Sequence, residues 1–189
     1  MSDPVTVLTF WLETVGPKGW YEVNADVDAE ITAQFGDLWQ SAHDGALDHW
    51  IDGTTGTLAF LILTDQFPRN MFRGDPRAFA TDPCARAAAR IALAQNWDLD
   101  APTPERQFFY LPFEHSEDLA DQALAVYCFS TRMENPESAL HARAHKAIIQ
   151  RFGRFPFRNA ALGRSSSPEE LAFMENGGYG AIVRDLQAK

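Results

Sequence analysis

Glu114 and His115 stand side by side in the chain. A carboxylate next to an imidazole is the pair that general acid–base chemistry uses once desolvation has tuned both groups. If the protein is an enzyme acting on a small molecule, these two are its expected catalytic residues. They fall in residues 108–118 (FFYLPFEHSED), between an aromatic run closed by Pro112 and a segment that Ser116 can cap. A second chemistry is written in a doubled phrase. Phe67-Pro68-Arg69-Asn70, with Gly74 behind it, recurs as Phe155-Pro156-Phe157-Arg158-Asn159, with Gly163 behind it. Each copy follows an apolar helical stretch and sets a guanidinium and a carboxamide at its end. Arg151, Arg154 and Arg158 lie three or four residues apart, so their guanidinium groups can converge on a carboxylate or phosphate through forked hydrogen bonds. The expected ligand contacts are Asp65, Arg69, Asn70, His145, Arg154, Arg158 and Asn159. The same arginines can instead hold Asp65, Glu114 or Glu117 of the protein itself, in which case the corners are helix terminators and not ligand loops.

Other chemistries find less support. Glu137, His141 and His145 recur every four residues, and two histidines at that spacing can share a metal ion. The run His141-Ala142-Arg143-Ala144-His145 lacks the glutamate of the zinc-protease motif, so no metal is assigned. No Gly-rich phosphate loop and no Gly-x-Ser-x-Gly elbow occurs, and no cofactor is assigned.

The elements that must position these residues read as helices. Asp3, Asp75, Asp82, Thr103, Asn135 and Ser167 each precede a proline. That order starts helices, since the side-chain oxygen serves free first-turn amides and proline at the first position forfeits no bond. Ser167 with Glu170 adds the reciprocal capping-box spacing. Apolar stripes at helical period run through Val27, Ile31, Phe35, Leu38 and Ala42, through Leu119, Ala123, Val126 and Ser130, and through Leu140, Ala144, Ile148 and Phe152. No stretch alternates with period two between hairpin turns, so no sheet is expected. The class is all-α, with about eight or nine helices of roughly 8 to 20 residues. The helix over 57–66 is almost wholly apolar yet ends in Thr64, Asp65 and Gln66. A buried Asp65 there needs a cationic partner, which Arg69, Arg73 or an arginine of the second corner can supply. Pro68 is expected to push Phe67 out of helical geometry and stop that helix.

With 189 residues, the chain fits a single domain spanning 1–189. Its net charge of −10 excludes a general nucleic-acid binder. Charge is unevenly spread: between Ser138 and Glu169 there is no acid, and Arg143, Lys146, Arg151, Arg154, Arg158 and Arg164 make that stretch +6. A local anion site, or packing against the acidic remainder, both follow from that. No run approaches twenty apolar residues, which excludes a membrane span, and the N-terminus lacks a secretory pattern, so the expected location is the cytoplasm. Cys84 and Cys128 are read as buried thiols.

Several phrases together resemble a bacterial family known as domain of unknown function 924, whose members look like tetratricopeptide-type helical proteins. They are residues 7–12 (VLTFWL), 63–74 (LTDQFPRNMFRG), 78–83 (AFATDP), 110–122 (YLPFEHSEDLADQ), 145–163 (HKAIIQRFGRFPFRNAALG) and the tail over 167–180. The resemblance implies a superhelical, tetratricopeptide-like array and brings no activity, substrate or cofactor. One position departs from it: the family phrase Phe-Pro-His-Arg-Asn has Phe157 in place of its histidine, which weakens a mechanism centred on that corner. Three functions follow as expectations. The leading one is a non-enzymatic helical protein that binds an anionic small molecule or acidic peptide through an arginine-rich pocket. The others are a small-molecule enzyme using Glu114 and His115, and a structural interaction subunit.

Overall fold

The computed structural model describes residues 3–188 and is all-α, with no strand among the described residues. Its contacts gather into two compact units, Met1–Pro112 and Phe113–Lys189.

In the first unit, α1 (Pro4–Leu8) passes through a π turn, Thr9–Val15, into α2 (Gly16–Gly19). Then follow α3 (Ala25–His43), α4 (Thr54–Leu61), a second π turn at Ile62–Gln66, α5 (Phe67–Met71), α6 (Asp82–Gln95) and α7 (Trp97–Asp100). The chain crosses from one unit to the next within α8 (Leu111–Glu114). α4 packs against α1 and α6, and residues Leu58 to Leu63, from α4 into the π turn, are all buried, as a coil apolar on every side requires. Beside it an aromatic cluster forms around Phe67, whose ring meets Phe10, Trp11 and Phe35 at 6.1, 5.5 and 4.9 Å.

Pro68 does not stop the helix, contrary to the sequence expectation. Phe67 is helical at φ −58°, ψ −38°, and α5 continues through Pro68 to Met71. A proline in a helix interior withholds one amide and crowds the carbonyl four residues back. Here the π turn widens the coil just before the proline, so that the Phe67 amide reaches the Ile62 carbonyl. The Thr64 carbonyl, which has no amide at position 68 to bond, accepts the Thr81 hydroxyl at 2.5 Å. Thr81 in turn accepts the Trp39 indole N–H at 3.2 Å.

The second unit comprises α9 (Leu119–Tyr127), which continues as a π turn at Cys128–Arg132, then α10 (Pro136–Phe152), α11 (Pro168–Glu175) and α12 (Gly178–Gln187). α10 is central, packing on α9 and α12. Ile148, Ile149, Phe155 and Phe173 form its core. The stripe expected for α9 is rotated. Leu119 and Tyr127 are 49% and 55% exposed, and Ala123 and Ser130 face water, whereas Asp121, Gln122, Ala125, Cys128 and Phe129 are buried. Polar residues occupy the inner face because the turn before α9 strands its carbonyls there: the Gln122 amide donates to Glu114 O at 2.6 Å and Ser116 O at 2.7 Å.

Asp3, Asp75, Asn135 and Ser167 cap as expected, the last in a full capping box. Two do not: Thr81 and not Asp82 precedes α6, and Thr103-Pro104 leads into a 3₁₀ turn at Glu105–Phe109. The cap of α9 is Asp118, which accepts from the amides of Ala120 and Asp121; Ser116 instead donates to the Asp121 carboxylate. The stretches at 16–24 and 96–102 contain α2 and α7. No helix among the described residues is long and apolar enough to cross a membrane.

Candidate functional site

The groups best placed for chemistry lie in the second unit, where the end of α8 faces α10 and α12. Glu114 is buried, and its Oε1 lies 2.9 Å from Nδ1 of His145. The His141 carbonyl, one turn back on α10, is 3.0 Å from the same nitrogen. Both neighbours are acceptors, so Nδ1 carries the proton and donates. Nε2, the lone-pair nitrogen, meets no hydrogen-bonding group among the described residues. Rings hold the imidazole in place: Tyr179 at 4.8 Å, Phe155 edge-on at 5.6 Å and His115 at 6.5 Å. The Tyr179 hydroxyl hydrogen-bonds His141 Nδ1, and the two rings stack. Burial pushes the Tyr179 phenol well above its usual value, and the Glu114 charge adds to that, so the hydroxyl stays protonated as a donor.

The sequence expected Glu114 to act with His115 or to pair with an arginine, and the structure pairs it with His145. Neighbouring residues on a helix turn point about 100° apart, so adjacency in the chain does not make side chains meet. His145 was expected among ligand contacts, and the four-residue spacing of His141 and His145 did mark one helix face. Tyr179 carried no such signal.

Around the second corner, the arginines are individually matched. Arg154 forks onto Glu170 at 2.6 and 2.8 Å. Glu170 also receives the Ser167 amide at 2.7 Å and the Asn159 carboxamide at 3.3 Å. Arg154 and the Ser167 amide hold its carboxyl down to about 2. Arg164 forks onto Glu117 at 2.7 and 2.9 Å, and the Phe155 amide adds a bond of 2.8 Å. Burial alone would lift the Glu117 carboxyl; Arg164 and that amide outweigh it and leave it below the usual range. Arg151 takes Glu169. Arg158 lies over the Phe155 ring at 4.5 Å and donates to the His115 carbonyl at 2.9 Å. Arg151 and Arg154 thus pair with separate carboxylates, Glu169 and Glu170. Phe157, at the position of the departed histidine, is 43% exposed and stacks on Phe155.

The first corner is closed by acids of the first unit. Asp65 is 1% exposed and lies 3.2 Å from Arg69, which also reaches Asp82 at 3.1 Å. Burial opposes the charge on Arg69, but the two carboxylates more than compensate and raise its pKa. Asn70 donates to Asp28 at 2.8 Å, and Arg73 forks onto the same carboxylate at 2.6 and 3.0 Å. Among the described residues, no group of three or more His, Cys, Asp and Glu side chains is arranged to hold a metal ion.

Residues 7–178 match the family model described as bacterial protein of unknown function, DUF924. The chain belongs to this family. The chain is also similar in three dimensions to the solved structure of a protein of unknown function from Agrobacterium tumefaciens. That protein is 39% identical, superposes with a TM-score of 0.86, and the match covers 92% of this chain and 97% of that one. No curated protein matches the chain. The DUF924 description carries no reaction, so the geometry of the site has to supply one.

Proposed function

We propose that the second unit carries an acid–base site for a small molecule, in which His145 Nε2 takes or gives the proton and Glu114 orients the imidazole. The carrying observation is the 2.9 Å contact between Glu114 and His145 Nδ1, which leaves Nε2 without a partner among the described residues. A carboxylate behind an imidazole fixes the tautomer and stabilises the charged form that arises during transfer. Tyr179, kept protonated, donates beside it. Phe155 fixes the remaining edge of the ring.

Two measurements test this. Imidazole ¹⁵N shifts of His145 should report the Nδ1–H tautomer in the wild type, and Glu114→Gln should relax that preference. A turnover screen with small carboxylic and phosphorylated metabolites should find an activity that His145→Gln lowers by about a hundredfold or more at unchanged melting temperature. A protonated Nε2 in the free protein, or turnover indifferent to His145→Gln, sinks the reading.

The anion-binding reading retains one support. Glu169, Glu170 and Glu117 match Arg151, Arg154 and Arg164, whereas Arg143 and Lys146 on α10 have no carboxylate within ion-pair distance among the described residues. On this reading, Arg158, Asn159 and His145 contact a carboxylate or phosphate that is held without turnover. Saturable phosphate or acetate shifts at these residues, in a protein that fails the turnover screen, would favour it. Both versions take the protein as one cytoplasmic domain of stacked helix pairs. In support, both cysteines are free thiols, as a reducing compartment keeps them, and α9 with α10 and α10 with α12 make successive pairs.

A further inference from the structure

A cleft of about 700 Å³ opens in the first unit between α1, α3 and the start of α4, lined by none of the residues weighed above for chemistry. Its volume falls in the range of small-molecule sites. Trp50, 4% exposed, lines it with Leu47 and Val5, and so do the exposed residues Asp3, His49 and Asp52. No lysine or arginine is among the described lining residues. The surrounding sequence continues that imbalance: residues 19–68 hold nine acids and no lysine or arginine.

The tryptophan is fixed by construction. It ends the 3₁₀ turn Asp48–Trp50, and a Cβ at position 56 would lie 2.2 Å from its carbonyl oxygen. Only glycine at 56 lets α4 begin against that turn, whose Trp50 is among the residues lining the cleft. The indole N–H finds no acceptor among the described residues, and the Asp52 carboxylate finds no donor there. Asp3 commits one oxygen to the α1 cap, accepting from the Val5 amide at 2.9 Å.

We propose that this cleft binds a small organic ammonium, a protonated amine on an apolar or aromatic body. Two exposed carboxylates on the lining of this cleft attract a cation and repel an anion. Leu47 and Val5 receive the apolar body. The site lies in the other unit from the acid–base site and does not depend on it.

Benzylammonium, with benzyl alcohol as the neutral isostere and benzoate as the anionic one, tests the proposal at pH 8. Benzylammonium should shift the Trp50 indole N–H resonance saturably, benzyl alcohol should bind about tenfold more weakly, and benzoate should not bind. Asp52→Asn should weaken benzylammonium about tenfold, and Asp3→Asn, which keeps the cap, by several fold. Raising the salt should weaken it further. Equal affinity for the alcohol, unchanged affinity in Asp52→Asn, or no saturable shift at Trp50 overturns the proposal. Asp52 is exposed, so the folded state of that variant, checked by its melting temperature, is not at stake.

Discussion

At residues 67–70 the Phe-Pro phrase stays inside a helical run, whereas at residues 155–159 it comes after a helix already ended by Gly153 in the left-handed conformation. Phe67 is helical, and Phe155 is extended at φ −89°, ψ 108°. What differs is the chain ahead of the proline and the partner for the carbonyl it leaves unbonded. In the first copy the π turn and the hydroxyl of Thr81, seventeen residues past the Thr64 carbonyl it bonds, accommodate Pro68. In the second, glycine at 153 ends the coil first, and Pro156 opens a short 3₁₀ turn. A proline phrase therefore marks a place where one backbone bond must be replaced, and its surroundings decide whether the helix ends.

The largest effects should come from the two buried phenylalanines. Phe67→Ala should cost about 3–5 kcal/mol in urea unfolding, and Phe155→Ala less, at about 3 kcal/mol. Phe67 is enclosed by three other rings, whereas Phe155, though equally buried, stacks on Phe157, which is 43% exposed. An equal or reversed order would break the contrast between a deep corner and a shallow one. Next, Thr81→Val should cost about 1–3 kcal/mol by stranding the Thr64 carbonyl and the Trp39 N–H, whereas Thr81→Ser should recover most of it. A neutral Thr81→Val would mean that the proline is tolerated for another reason. Gly153→Ala should cost about 1 kcal/mol from backbone alone, since a Cβ there meets nothing within 4 Å but φ is +69°. A larger loss would point to a clash and not to the left-handed conformation.

The smallest effect should be acid sensitivity at the second corner, because Arg154 is 32% exposed and its pairing is screened by water. The Glu170 carboxyl titrates near 2 when folded against a reference of 4.5. Its contribution is whole above about pH 4.5 and is lost as pH falls towards 2. The wild type should lose melting temperature faster than Glu170→Gln over that window, and parallel curves would remove the Arg154–Glu170 pair from the account of this corner.

Much of the first corner was legible: Asp65 at the end of an apolar helix called for a cation, and Arg69 one turn on supplies it. The π turn was not, because its relief depends on Thr81 and Trp39, which no spacing rule links to Pro68. The inner face of α9 was misread for a related reason. Gln122 is buried to serve the carbonyls of Glu114 and Ser116, and a hydrophobic pattern gives no weight to a side chain buried for its hydrogen bonds. At the site, Glu114 and His145 were both singled out, but as members of different groups.

By itself the sequence determined the all-α class and where most helices begin, since a cap acts on amides within three residues of its own position, as at Asp3, Asn135 and Ser167. Tertiary structure alone decided that Glu114 meets His145 across 31 positions, that Arg154 meets Glu170, and that Trp50 walls a cleft with Asp3. Those pairings depend on how whole helices rotate and dock, and the energies that set docking come from packed faces, which no local run of residues contains.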